Sequence, residues 1–187
     1  QYQLPNAVAT MGTATSSYHL HILNKYTDHI IFCFDGDLAG QQAAWRALEN
    51  ALPMYNQLAH IDFLFLPDGH DPDSYIREFG LSEFQNLIHK SQNLHSYFAQ
   101  ELYQQYGKSG TQRLIQEVQK YLSKLEDGPG KELILREISQ LTRLETYRIA
   151  QWLEQPQTMQ NSPTLKQTTP IRLAMALIIQ NPGLYKT

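Results

Sequence analysis

A parallel α/β sheet fragment followed by an all-helical subdomain is the fold class this sequence predicts, and three observations carry the prediction. Two apolar runs, Ile30-Ile31-Phe32-Cys33-Phe34 and Ile61-Asp62-Phe63-Leu64-Phe65-Leu66, have strand length and flank one segment of helical period. Strand, helix and strand in succession normally make a right-handed crossover between parallel strands. Beyond Gly80 no strand pattern survives, and apolar residues recur at helical intervals only.

Ala7-Val8-Ala9-Thr10 reads as a short β-prone run, with Met11-Gly12-Thr13 as the turn behind it. Ser16 or Ser17 then caps a helix that carries Leu20 and Leu23 inward and ends between Asn24 and Asp28. The run from His29 to Phe34 is apolar after its first residue, as expected of a central strand buried on both faces. From Ala39 to about Leu52, Ala43, Ala44, Ala47, Leu48 and Ala51 share one face, so this helix can lie close against the sheet, with Trp45 covering its flank. Pro53 ends it. After the second strand, Asp71-Pro72 matches an N-cap followed by proline at the first helical position.

In the helical part, Ser82-Glu83-Phe84-Gln85 has the spacing of a capping box that opens a helix running to about Lys90. Further helices are expected over 94–106, 111–125, 131–141 and 145–154, broken at Gly107, Gly110 and Asp127-Gly128-Pro129-Gly130. The expected domains are therefore a catalytic α/β core over 1–80 and a helical subdomain over 81–154. A linker over 155–169, rich in Gln, Thr, Ser and Pro, precedes a new apolar helix within 170–187.

Composition narrows the function classes. The chain is 42% hydrophobic and 18% charged, which fits a folded domain rather than a disordered one. Its formal net charge of −3 gives no sign of the basic surface that nucleic-acid binders usually carry, so a phosphate-bearing partner requires a cation or a separate basic domain. The single Cys33 excludes an intrachain disulfide and a cysteine-based zinc site. No run approaches the roughly 20 apolar residues of a membrane span, and the start, Gln1-Tyr2-Gln3-Leu4-Pro5, is not of signal-peptide type. A cytoplasmic location and no membrane partner are the expectations. Both chain ends read as cuts within a longer protein.

The chemistry is concentrated in two acidic turns. Phe34-Asp35-Gly36-Asp37-Leu38-Ala39-Gly40 ends the first strand, and Pro67-Asp68-Gly69-His70-Asp71-Pro72-Asp73 ends the second. Side chains two apart on extended backbone point the same way, so Asp35 and Asp37 project together. Two carboxylates that close repel each other unless a proton or cation lies between them. Mg²⁺ suits the set, being a hard ion usually held by one or two carboxylates together with substrate phosphates and water. The plainer alternative is that Asp35 or Asp37, and likewise Asp71, only cap the helices that follow. Parallel strands bind ligands beyond their carboxyl ends, and neighbouring strands bring both turns to one crevice within about 10 Å. That convergence favours the cation. Residues 81–154 show no catalytic spacing, and His70 reads as a turn histidine.

Three motifs in order, Asn6-Ala7-Val8-Ala9-Thr10-Met11-Gly12-Thr13-Ala14, Cys33-Phe34-Asp35-Gly36-Asp37-Leu38-Ala39-Gly40 and Leu66-Pro67-Asp68-Gly69-His70-Asp71-Pro72-Asp73, resemble the bacterial replicative primase family and its Toprim-type catalytic core. The resemblance continues to about residue 154, and Thr169-Pro170-Ile171-Arg172-Leu173-Ala174 resembles the opening of that family's helicase-binding domain. It implies that Asp35 and Asp37 are catalytic and that Asp35, Asp37, Asp71 and Asp73 hold Mg²⁺ or Mn²⁺. Gly12 and Thr13 would border the nucleotide. The implied reaction is nucleotidyl transfer that makes RNA primers, with single-stranded DNA template, ribonucleoside triphosphates and the replicative helicase as partners. The family's catalytic glutamate, zinc-binding domain and basic template-binding region would precede residue 1, so zinc has no place in this chain and the segment alone is expected to be inactive. Thr15-Ser16-Ser17-Tyr18-His19 departs from the acidic helix start usual in the family.

Two other classes compete. A haloacid-dehalogenase-type phosphatase also uses Asp-x-Asp after a strand, but expects threonine or valine where this chain has Ala39. A non-catalytic module that recruits a helicase through 170–187 is the third reading.

Overall fold

The structure is a computed structural model that describes residues 4–10, 15–57 and 60–154. Gly12, Thr13, the expected linker and the expected terminal helix lie outside the described residues. Helix α1 (Ser17–Leu23) is followed by β1 (His29–Phe34), α2 (Leu38–Ala51) with a 3₁₀ turn over Leu52–Met54, and β2 (His60–Phe65). Then come α3 (Pro72–Phe79), α4 (Leu81–Ile88), β3 (Gln92–Asn93), α5 (Leu94–Tyr106), a 3₁₀ turn over Gly107–Ser109, α6 (Thr111–Leu122), α7 (Pro129–Thr142) and α8 (Thr146–Glu154).

β1 and β2 pair in parallel from His29↔His60 to Phe34↔Phe65, as the strand–helix–strand order requires. The ladder continues one residue further, where Leu66 N–H donates to the Phe34 carbonyl at 2.9 Å. The sheet is nevertheless mixed rather than purely parallel, because β3 pairs antiparallel to β2 through Asp62↔Asn93 and Phe63↔Gln92. Two polar residues carry no apolar alternation, so β3 exists only through its ladder. Asn93 also caps α5, accepting from Ser96 N–H at 3.0 Å.

Two further expectations are corrected. Residues 7–10 form no strand and are exposed; alanine is a poor strand former, and no described strand runs beside them. Helix α4 starts at Leu81, not after Ser82. Gly80, at φ 87°, ends α3 and opens α4 at once, which leaves Ser82 inside the first turn.

One face of the sheet carries Ile30, Phe32, Ile61 and Phe63 into a cluster with α2, α5, α6, α7 and α8. Gly40, Ala44, Ala47, Leu48 and Ala51 are the buried face of α2, so the small side chains expected to bring that helix close do face inward. Phe63 lies 4.7 Å, centroid to centroid, from Tyr97 of α5 and 5.4 Å from Phe32. Burying a phenylalanine of this kind contributes roughly 2 to 3 kcal/mol. The other face is smaller: Leu64 and Leu66 meet Tyr75, Ile76 and Phe84 from α3 and α4, with Ile31 and Cys33 beside them. No described helix is long and apolar enough to cross a membrane.

Candidate functional site

Both acidic turns leave the carboxyl ends of adjacent parallel strands, and they touch. A β-carbon on Gly36 would lie 2.2 Å from the Leu66 carbonyl oxygen and 2.9 Å from Asp68 N, so only glycine lets the first turn lie against the second. Gly40 performs a matching task one helical turn later. A β-carbon there would lie 2.0 Å from the Asp35 carbonyl oxygen, so the start of α2 is seated directly on the first turn.

Asp37 is the N-cap of α2, its Oδ1 accepting from Gly40 N–H at 2.7 Å. Its other oxygen has no partner among the described residues. Asp71 caps α3 in a reciprocal box: its Oδ1 accepts from Ser74 N–H at 2.7 Å, while its own N–H donates to Ser74 Oγ at 2.9 Å. The hydrogen bonds from Ser74 hold the Asp71 carboxyl below the ordinary aspartate value. Asp73, in the first turn of α3, pairs with Arg77 one turn on. Asp35 differs from these three. It is exposed and makes no side-chain hydrogen bond or ion pair among the described residues. Its charge acts on Cys33, whose thiol is pushed up to about 11 by burial first and by Asp35 second, so the sulfur stays protonated near neutral pH.

Capping and cation binding are thus not exclusive here. The caps engage Oδ1 of Asp37 and of Asp71, and the cap geometry fixes where each carboxylate stands. Among the described residues no three His, Cys, Asp or Glu side chains converge tightly enough to form a closed cation shell by themselves. The donors are oxygen-only, acidic and open to solvent, which fits an ion held by one or two carboxylates plus phosphate oxygens and fits no all-protein cage. Gly12 and Thr13 lie outside the described residues. His70 packs edge-on against Tyr75 and Phe79, with ring centroids 5.7 and 5.4 Å away. Its Nδ1 is buried without a hydrogen bond, and Glu78 Oε2 lies 4.0 Å from it, so the ring serves the packing of α3.

The roles of Gly40 and Leu66 were not foreseen from the residues. A glycine at the third position of a helix is a cue to a close backbone approach, but its partner is visible only when the chain is folded.

The Toprim-like family profile matches residues 1–76. The chain is 41% identical to the DNA primase of Legionella pneumophila over 189 aligned residues, covering 99% of this chain and 33% of that protein. Among solved structures, a DNA primase domain from Pseudomonas aeruginosa superposes with a TM-score of 0.72 at 38% identity, covering 82% of this chain and 49% of that one. A DnaG primase catalytic domain bound to ssDNA gives a TM-score of 0.72 at 29% identity, with 79% and 48% covered. The chain spans about a third of the length of the curated relatives it matches.

Proposed function

This chain belongs to the DNA primase family as a Toprim-bearing segment, and from that membership we propose that it supplies the divalent-metal platform of an enzyme that makes short RNA primers on single-stranded DNA. The observation that carries the reading is the backbone contact between the two acidic turns at Gly36 and Leu66. It joins the turn that carries Asp35 and Asp37 to the turn that leads into Asp71 and Asp73, and the carboxyl edge of a parallel strand pair is where α/β sheets bind their ligands, which supports the reading.

In this reading Asp35 and Asp37 are the catalytic pair, and Asp35, Asp37, Asp71 and Asp73 are the ligands of Mg²⁺ or Mn²⁺. Such an ion, when bound, supplies a polarised ribose 3′-hydroxyl and charge stabilisation for the departing pyrophosphate. The protein's own part is positional. Asp37 and Asp71 are held by their caps, Asp35 is left without a competing partner, and Asp73 is oriented by Arg77. Gly12 and Thr13 would border the bound nucleotide. Single-stranded DNA and ribonucleoside triphosphates are the proposed substrates, and residues 170–187 are the proposed opening of a helicase-binding region. Residues 1–80 are the proposed Toprim core, 81–154 a helical subdomain packed on it, and 155–169 a linker. The relatives' shared designation as primases favours this over a phosphatase.

The test is a segment exchange. The chain replaces the matching third of the Legionella pneumophila enzyme, and ribonucleotide incorporation on single-stranded DNA is measured. Activity in the chimera, falling about 100-fold or more in Asp35→Asn and in Asp37→Asn, supports the proposal. Undiminished incorporation in either variant contradicts it.

A further inference from the structure

Behind the first acidic turn, a cleft of about 530 Å³ opens between α2, α5 and α6. Its walls include Trp45, Arg46, Tyr97, Glu101, Tyr106 and Tyr121. One end is Leu38, the residue after Asp37, which is 76% exposed. Trp45 lies seven residues on, about 10 Å along the helix axis, so the cleft adjoins the acidic turn without being part of it.

The aromatic wall is built and fixed. Trp45 lies parallel to Phe98, 9° between the rings at 6.2 Å, and meets Tyr121 edge-on at 5.6 Å. The polar groups beside it are not used by the fold. Arg46 is exposed and makes no ion pair or hydrogen bond among the described residues. Glu101 is half-buried, has no such partner either, and burial holds its carboxyl above the ordinary glutamate value. Tyr97 is 4% exposed as a residue, and its hydroxyl, which makes no hydrogen bond among the described residues, meets solvent in the cleft. Burial raises that hydroxyl's pKa, and the Glu101 charge raises it further. The packing of α2 on α5 engages neither the Glu101 carboxylate nor the Tyr97 hydroxyl, so both remain available to a ligand in the cleft. A ligand with flat apolar faces and in-plane donors would satisfy both, and an aromatic wall beside an arginine is the usual platform for an unpaired base.

We propose that the cleft between α2 and α5 is a nucleobase subsite, selective for an amino-bearing base whose in-plane N–H groups donate to Glu101 while a neighbouring phosphate meets Arg46. Guanine offers a carboxylate two adjacent donors, cytosine and adenine an exocyclic amine, and uracil only one ring N–H between two carbonyls that the carboxylate repels. The ranking is therefore guanine first and uracil last. The subsite rests on the reading of the acidic turns as a nucleotidyl-transfer platform, because that reading is what brings nucleotides to this edge. The base can belong to a free nucleotide or to a strand.

The experiment uses the full chain carrying Trp152→Phe, which leaves Trp45 as the remaining one of the two tryptophans. Its fluorescence is followed in EDTA, without metal, during titration with GMP, CMP, AMP, UMP and single-stranded DNA octamers. The expected result is a saturable change in which GMP binds about tenfold more tightly than UMP. That preference should disappear in Glu101→Gln, and all affinities should fall in Arg46→Ala, with circular dichroism unchanged in both. Octamers that bind more tightly than mononucleotides and displace them assign the base to a strand; mononucleotides that octamers fail to displace assign it to a free nucleotide. Equal affinity for GMP and UMP, a preference that survives Glu101→Gln, or a response to lysine-rich peptide alone overturns the proposal. A parallel Mn²⁺ titration of the same protein keeps the two readings apart: base binding without metal response at the acidic turns refutes the platform and leaves the cleft, and the converse refutes the cleft alone.

Discussion

Gly36 lies against the carbonyl of Leu66 so closely that a β-carbon would stand 2.2 Å from that oxygen. The contact joins the two acidic turns through backbone alone, with nothing at the far end of a flexible side chain to yield. Gly36→Ala must therefore push the turns apart. We expect a loss of about 2 kcal/mol in unfolding free energy, read by urea denaturation, together with weaker Mn²⁺ binding. Gly69→Ala is the control. Gly69 has φ 81° but open space around it, so its substitution costs about 1 kcal/mol through backbone strain alone, and the turns stay in contact.

Asp37 and Asp71 each cap a helix, and the two roles assigned to them separate by substitution. Asparagine keeps the accepting oxygen and removes the charge. Asp37→Asn and Asp71→Asn should hold stability to within a few tenths of a kcal/mol while losing cation affinity. Alanine should cost about 1 kcal/mol at either position. Thermal unfolding compared with calorimetric metal titration checks both halves; an asparagine variant that binds metal like the parent would leave only the cap.

The Asp71 carboxyl is held down by hydrogen bonds from the Ser74 backbone and hydroxyl. Its contribution to stability is present above the ordinary aspartate value and lost as pH falls through the lower value of the folded state. An NMR titration should place its midpoint below that of unfolded aspartate, and Ser74→Ala should raise it part of the way, because the backbone donor remains.

The Tyr55 hydroxyl and His95 Nδ1 share a hydrogen bond of 2.7 Å at the junction of the 3₁₀ turn, α5 and α7. Burial holds the His95 pKa below the ordinary histidine value, against the opposing pull of Glu137 and Asp62. The unfolded chain thus takes up a proton at higher pH than the folded one. Stability should fall as pH drops from about 6.5 toward the folded value. His95→Gln should flatten the stability profile between pH 8 and 5.5; an unchanged slope would show that His95 does not set it.

Much of this was legible in the residues. The two strands, the alanine face of α2 and the start of α5 follow from periodicity and turn chemistry, each a local signal. The acidic turns could be placed at one edge because strand, helix, strand fixes the parallel pairing. What escaped was non-local. Strand β3 is two polar residues recognised only by their ladder to Asp62 and Phe63. The start of α4 was misplaced because Gly80 serves two helices at once. At the candidate site, the Asp35-Gly36-Asp37 turn at the end of β1 was legible from spacing, whereas the Gly36–Leu66 and Gly40–Asp35 contacts join backbone atoms that no side-chain pattern reports. The cleft at Trp45 and Glu101 likewise joins residues far apart in sequence.

The central claim is that the two acidic turns share a divalent cation. It is tested most directly by adding Mn²⁺ to the isotopically labelled chain and recording paramagnetic broadening of the amide signals. The account predicts saturable broadening centred on Asp35 to Asp37 and on Asp71 to Asp73, reversed by excess Mg²⁺ and abolished in the double variant Asp35→Asn, Asp37→Asn. Absence of broadening at millimolar Mn²⁺, or broadening that persists in the double variant, would contradict it.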